Sequence, residues 1–287
     1  MTRIDQFESV FKAAARDVYE PHHHDIKNVL LVSDLPEKDA WLYAAGIKRF
    51  LAAVDPDGAV HWASAHEDRG RTVGELLEVV EQEKPDLICT YRSLYSEGWR
   101  WPFSLGEHLD VLTQAVDTPV LVMPRPDQSS YWQQEPAGTA RVMAMTDHLD
   151  GDDRLVDWAV QCTAAAGTLF LAHIEDERTF RRYLDDVIAK IPEIDTDLAE
   201  DLIGRRLLKG PADYIESVGE ALREAGLKIQ IESLVSFGRH LKTVEDMVTD
   251  KAVDLVVMET KDDDQLAMHG LAYPLAVELR SVPLLMI

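Results

Sequence analysis

The chain has 287 residues, 46% of them apolar, and 52 acidic residues against 29 basic ones give a formal net charge of -23. That length suits two domains of ordinary size, and the apolar share can build sizeable cores, which excludes general disorder. A surface this negative repels phosphate backbones and anionic lipid, so neither nucleic acid nor a membrane is an expected partner. No apolar run approaches membrane-spanning length, and acids scattered through the first twenty residues argue against a secretory signal, so a cytoplasmic location is expected. Cys89 and Cys162 lie in apolar stretches without metal-ligand spacing and read as buried, reduced thiols.

In chain order, Ile4–Tyr19 reads as an amphipathic helix, with Phe7, Val10, Phe11, Ala14 and Val18 on one face. Residues 1–24 form an extension outside both domains, expected to pack on them or on a dimer mate. Pro21-His22-His23-His24-Asp25 holds groups that suit a transition metal, but adjacent residues rarely converge on one ion. A solvated entry into the first strand is expected there instead. Ile26–Val32 is an apolar strand ended by Ser33-Asp34 and Pro36, followed by a helix over Asp39–Ala53 and a strand over Ala59–Ala65. A helix led by Gly70 runs into Asp86-Leu87-Ile88, and the loop beyond carries Trp99, Trp101 and Phe103, aromatics expected to fill a core. Thr118-Pro119-Val120-Leu121-Val122-Met123 closes the first half, and residues 127–138, rich in Pro, Ser, Gln and Gly, form a linker.

The second half opens with the strand Arg141–Met145, ended by Thr146-Asp147, and a helix over Arg154–Ala166. It continues with a strand over Thr168–Ile174, helical stretches at Glu177–Lys190 and Asp197–Ala225, and a strand over Lys228–Val235. The segment from Gly238 to Glu259 then aligns without a gap on the segment from Gly70 to Tyr91. Gly-Arg opens each, Asp254-Leu255-Val256 matches Asp86-Leu87-Ile88, and Val282-Pro283 matches Thr118-Pro119. The chain is therefore a tandem duplication, with domains at 25–126 and 139–287. The interval from Asp34 to Gly70 is far shorter than that from Asp147 to Gly238, so the first copy lacks one strand-helix unit: four strands against five. Apolar runs alternating with helical patterns give an α/β fold, two Rossmann-like parallel-sheet domains in tandem.

Strand, Asp, helix, strand, Gly-led helix, Asp-Leu-Ile, loop, helix and a Pro-led last strand, met twice, resemble the universal stress protein family. The resemblance implies five-stranded parallel sheets of the adenine nucleotide alpha hydrolase-like kind, paired through their last strands, which a tandem chain can satisfy internally. Many members bind ATP through a loop of the form Gly-x2-Gly-x9-Gly-[Ser/Thr] and an aspartate after the first strand. Glycines let backbone N–H groups approach phosphates, and the following helix presents its positive end.

On that pattern the nucleotide-site positions would be Asp34 and Gly106 in the first copy, and Asp147, the main chain near Ile174, and Gly270 in the second. Gly106 and Gly270 each stand thirteen residues ahead of the last-strand proline, as the family requires, but Glu107 and Leu271 follow where a small hydroxyl belongs. The paired earlier glycines are missing, and Asp262, Asp263 and Asp264 would face a triphosphate with like charge. The expectation is a non-catalytic stress-response protein with no cofactor and no metal, acting through a protein partner or an unidentified small ligand, as a homodimer or with its halves paired internally. Two alternatives stand beside it. One is a nucleotide-binding or hydrolysing regulator using the second domain; the other is a metal-dependent enzyme using Asp147, His148, Glu259, Asp262 and His269 at the carboxyl edge of the second sheet.

Overall fold

The computed structural model describes residues 18–66, 69–97, 100, 103–126, 138–146, 149, 152–260 and 272–287. The first half runs β1 (Asn28–Val32), α1 (Glu37–Phe50), β2 (His61–Ala65), α2 (Val73–Glu83), β3 (Leu87–Tyr91), α3 (Glu107–Ala115) and β4 (Val120–Met123). The second runs β5 (Arg141–Thr146), α4 (Asp153–Cys162), β6 (Thr168–Asp176), α5 (Glu177–Asp186), α6 (Thr196–Glu224), β7 (Gln230–Gly238), α7 (His240–Asp250), β8 (Leu255–Met258), α8 (Ala272–Glu278) and β9 (Leu284–Met286). The described strands form a single nine-stranded sheet in the order β2-β1-β3-β4-β9-β8-β5-β6-β7. Every pairing is parallel except β4 with β9.

The central strands are near-continuous aliphatic runs because helices cover both faces, and β3, β4 and β8 are buried at every position. The helices bury single stripes, as in α1, where Ala40, Tyr43, Ile47 and Phe50 face the sheet. Thr72 starts α2 with a capping box: its hydroxyl accepts from Glu75 N at 3.2 Å, and Glu75 Oε2 accepts from Thr72 N at 3.0 Å.

The repeated Asp-Leu-Ile/Val runs have a structural purpose. Asp86 Oδ2 accepts from Lys27 N at 2.8 Å and Asn28 N at 2.9 Å, pinning the start of β1 to that of β3. Asp254 Oδ2 accepts from Arg141 N at 2.8 Å and ties β5 to β8 in the same way. The duplication thus extends to individual hydrogen bonds.

The seam between halves is the antiparallel pair Val120↔Met286, Leu121↔Leu285 and Val122↔Leu284, all buried. Side chains reinforce it. Arg92 donates to Leu279 O at 2.9 Å and Val277 O at 3.4 Å, at the end of α8, and Tyr273 Oη donates to Phe103 O at 3.2 Å. Phe103 itself is 75% exposed, so the expectation that this aromatic fills a core fails for it. Its carbonyl serves the seam while its ring faces solvent; Trp99 and Trp101 lie outside the described residues.

The first sheet has four strands and the second five, and β7 with the 29-residue α6 marks the difference. The segment before β1 does not remain with the first half. Glu20 N, His22 N and His24 N donate to Asp153 Oδ2, Asp157 Oδ1 and Gln161 Oε1 at 3.3, 3.0 and 3.1 Å. Two residues of extended chain advance about 6.6 Å and four residues of helix about 6 Å, so alternate N–H groups can meet every fourth position of α4. Gln161 Nε2 returns a bond to His24 O at 2.8 Å, and the His24 ring stacks on Trp158 with centroids 4.5 Å apart. Tyr19, 3% exposed, donates its hydroxyl to Asp157 at 2.6 Å and its N–H to Ser217 Oγ on α6 at 3.0 Å. The histidine run is thus a strap across the second half, with His22 and His24 committed to α4. The helix expected over Ile4–Tyr19 lies almost wholly outside the described residues.

Asp157 is 4% exposed and serves both Tyr19 and His22. Asp157→Ala strands a buried phenol and is expected to cost about 2–4 kcal/mol in urea unfolding. A loss below about 0.5 kcal/mol, the size of an ordinary surface change, would show that the strap is not held there.

Candidate functional site

In an open α/β sheet the crevice beyond the carboxyl ends of the strands is where ligands sit. In the first half that crevice is bounded by Asp34 after β1, the loop from Arg92 to Gly106 after β3, and Arg125 after β4. Asp34 is at the centre of a closed network. Tyr91 Oη donates to Asp34 Oδ1 at 2.5 Å and accepts from Asp34 N at 3.0 Å, while Tyr95 N donates to Oδ2 at 2.8 Å. Arg125 reaches the same carboxylate at 3.3 Å, and both side chains are only 13% exposed. The Arg125 guanidinium also donates to Ser93 O at 2.8 Å and lies 5.2 Å from the centroid of the Tyr91 ring. Burial, and then the Asp34 hydrogen bond and charge, hold the Tyr91 phenol well above its usual range, so it remains a proton donor.

Counting back from Gly106 along Gly-x2-Gly-x9-Gly places Ser93 and Ser96 at the two earlier glycine positions. Ser93 keeps a glycine-like backbone, with φ 59°, and Tyr95 has φ 54°. Gly106 has φ 95°, and a Cβ there would sit 2.8 Å from Ser93 Cα and 2.9 Å from Ser93 N. Gly106 is therefore required by the close approach of the two ends of the loop, whether or not a phosphate is held. The backbone at Ser93, Tyr95 and Gly106 keeps its positive φ angles, but Tyr95 and Arg125 engage Asp34 beside it. Glu107 then supplies the first residue of α3, so the positive end of that helix already has a carboxylate beside it.

The second half differs. Ile174 is buried near the end of β6, and its carbonyl meets His240 Nε2 at 2.6 Å. Counting back from Gly270 along the same pattern falls on Val257, inside β8, so this loop is too short for the family spacing. Asp147 and Gly270 themselves lie outside the described residues, as do His148, Asp262 and His269. Among the described residues no group of three or more metal-binding side chains gathers.

A feature that sequence reading missed sits at the same edge. Asp152 caps α4, with Leu155 N donating to its Oδ1 at 3.0 Å. Burial first, and then the neighbouring Glu259 carboxylate, push the Asp152 carboxyl up to about 7. Glu259, which aligns with Tyr91 in the repeat, is one of the residues the metal-enzyme alternative names, but its pairing with Asp152 is not legible in the sequence. Both cysteine thiols are buried, and burial pushes Cys162 up to about 12 and Cys89 higher still, which makes them poor nucleophiles.

Two Rossmann-like units joined back to back through their last strands define the class: this is the universal stress protein fold, in tandem. No protein-family model matches the chain, and no curated protein matches it. Among solved structures, a putative universal stress protein from Pseudomonas aeruginosa UCBPP-PA14 matches 92% of this chain and 93% of its own, at 14% identity and a TM-score of 0.50. A protein of unknown function from Pseudomonas aeruginosa PAO1 covers 92% of both chains at 16% identity and a TM-score of 0.49. A universal stress protein from Archaeoglobus fulgidus DSM 4304 covers 90% of this chain and 84% of its own at 13% identity and a TM-score of 0.44. At 14% identity the first of these likenesses is one of fold. No helix among the described residues is long and apolar enough to cross a membrane.

The raised Asp152 carboxyl makes a signed prediction. An unfolded carboxyl titrates near 3.9, so between there and about 7 the folded protein holds the extra proton, and stability falls as pH rises through that window. Asp152→Asn keeps a capping side chain and removes the charge. It is expected to be roughly 1–3 kcal/mol more stable than the natural protein at pH 8 and indistinguishable from it near pH 4. Parallel stability–pH curves for the two proteins would show that the carboxyl is not shifted.

Proposed function

We propose that this is a non-catalytic cytoplasmic protein of the tandem universal stress type, which does not hold ATP and acts through another protein or a different small ligand. The supporting observation is the occupied first crevice: Tyr91, Tyr95 and Arg125 already satisfy the Asp34 carboxylate that an adenosine would engage. Opening it would strand a buried charge network, which costs several kcal/mol before any ligand contact forms. Glu107 at the start of α3 adds like charge at the phosphate end. In the second half the shortened loop and the engaged Ile174 carbonyl oppose the same ligand.

Contact with another protein is supported by the outer edge of the first half, beyond which no described strand lies. Beside the outer strand β2, Trp41 is 71% and Leu42 57% exposed, and a cavity of about 330 Å³ lies between α1 and β2, lined by Ala40, Trp41, Ala44, Lys48, Trp62 and His66. In the second half the corresponding flank of β6 is covered by α6 leading into parallel β7. A partner presenting an amphipathic helix followed by a strand has the matching form.

Equilibrium binding of labelled ATP with Mg²⁺ tests the reading. No saturable binding is expected below about 1 mM, an interaction weaker than about 4 kcal/mol. Micromolar affinity that disappears on Gly270→Trp would replace it with the nucleotide-regulator alternative in the second domain.

A further inference from the structure

We propose a separate anion site in the unit that only the second half possesses, formed by Arg178, Arg182 and Arg239 and suited to a small phosphate-bearing ligand. These three side chains, with Arg181, line one cavity of about 540 Å³ at the carboxyl edge of β6 and β7. Their gathering is conspicuous in a chain of net charge -23. Arg178 and Arg182 are four residues apart on α5 and so share a helix face, a like-charge spacing that an isolated helix disfavours. Arg239 reaches the cavity from the turn between β7 and α7, and no acid in the first turn of α7 offsets it.

The charges around the cavity do not cancel. Arg181 is held by Glu200 at 2.9 Å and Glu177 at 3.9 Å, and Asp186 is taken by Lys190 at 3.2 Å. The lining holds four guanidiniums against the three carboxylates of Glu177, Asp185 and Asp186, and Arg178, Arg182 and Arg239 form no ion pair among the described residues. Asp176, which feels the Arg178 charge, is occupied in capping α5 through Thr179 N. Each guanidinium presents a rigid fork of N–H donors, and a phosphate monoester offers three equivalent oxygens carrying close to two charges. A carboxylate offers two oxygens and one charge, so phosphate fits a three-arginine site better.

The site stands apart from the family's phosphate loop. That loop follows β3 or β8, whereas this cavity lies beyond β6 and β7. Among the described residues the first half has no counterpart to it, because α5, α6 and β7 have no equivalents there.

Calorimetric titration of the full chain with inorganic pyrophosphate, at fixed ionic strength, tests the proposal. Saturable binding is expected, weakened at least tenfold by Arg182→Gln and by Arg239→Gln. Arg205→Gln, which removes an exposed α6 arginine already paired with Asp201, should leave it unchanged. Gly270→Trp should also leave it unchanged, which separates this site from any nucleotide site in the second loop. The proposal fails if no saturable binding occurs, if Arg205→Gln weakens binding as much as Arg182→Gln, or if Gly270→Trp abolishes it. All three arginine substitutions are at exposed positions, so loss of folding does not confound the comparison.

Discussion

The antiparallel junction of β4 with β9 is the constraint on which the rest of the molecule depends. A parallel α/β unit ends on a strand with one unpaired edge, and an aliphatic edge left open to water invites pairing with whatever comes near. Here the two last strands pair with each other. Both are buried, and each fully buried aliphatic side chain on them contributes roughly 1.5–3 kcal/mol relative to exposure. The pairing turns two small sheets into one and brings Arg92 of the first half to the carbonyls ending α8 of the second. The strap from Tyr19 to His24 spans the halves a second time, by a route independent of the sheet.

Given that frame, duplication and divergence act on the same scaffold in opposite ways. The first copy has lost a strand-helix unit and filled its crevice with its own side chains. Its glycine-like loop survives in backbone course alone, with Ser93 in the left-handed region and Gly106 packed against it. The second copy kept the additional unit, and with it an arginine-lined cavity beyond β6 and β7. An acidic protein that gathers a few arginines at a sheet's carboxyl edge concentrates its positive potential where anions can reach it.

Three carboxylates held away from open solvent show two arrangements. Asp34 and Asp157 each accept several hydrogen bonds, which compensate for their removal from water. Asp152 accepts one from the helix it caps and faces a second acid, so its proton is retained to higher pH. Residue type alone shows neither arrangement; the neighbours that the fold brings to each carboxylate decide it.

The sequence by itself determined the duplication, the missing strand-helix unit and the α/β class, because apolar periodicity and the repeated Gly-Arg, Asp-Leu-Ile/Val and Pro-led motifs are local in the chain. It also singled out Asp34 and Gly106 by position. It did not show that Tyr91, Tyr95 and Arg125 close on Asp34, since Arg125 is 91 residues away and meets it only through strand order. Nor did it show that the histidine run before β1 crosses to α4, or that Arg239 joins Arg178 and Arg182 at one cavity. Periodicity reports which face of an element is buried. Which distant side chains share a crevice is fixed by the crossovers of the sheet, and those exist only once the two halves have folded and paired.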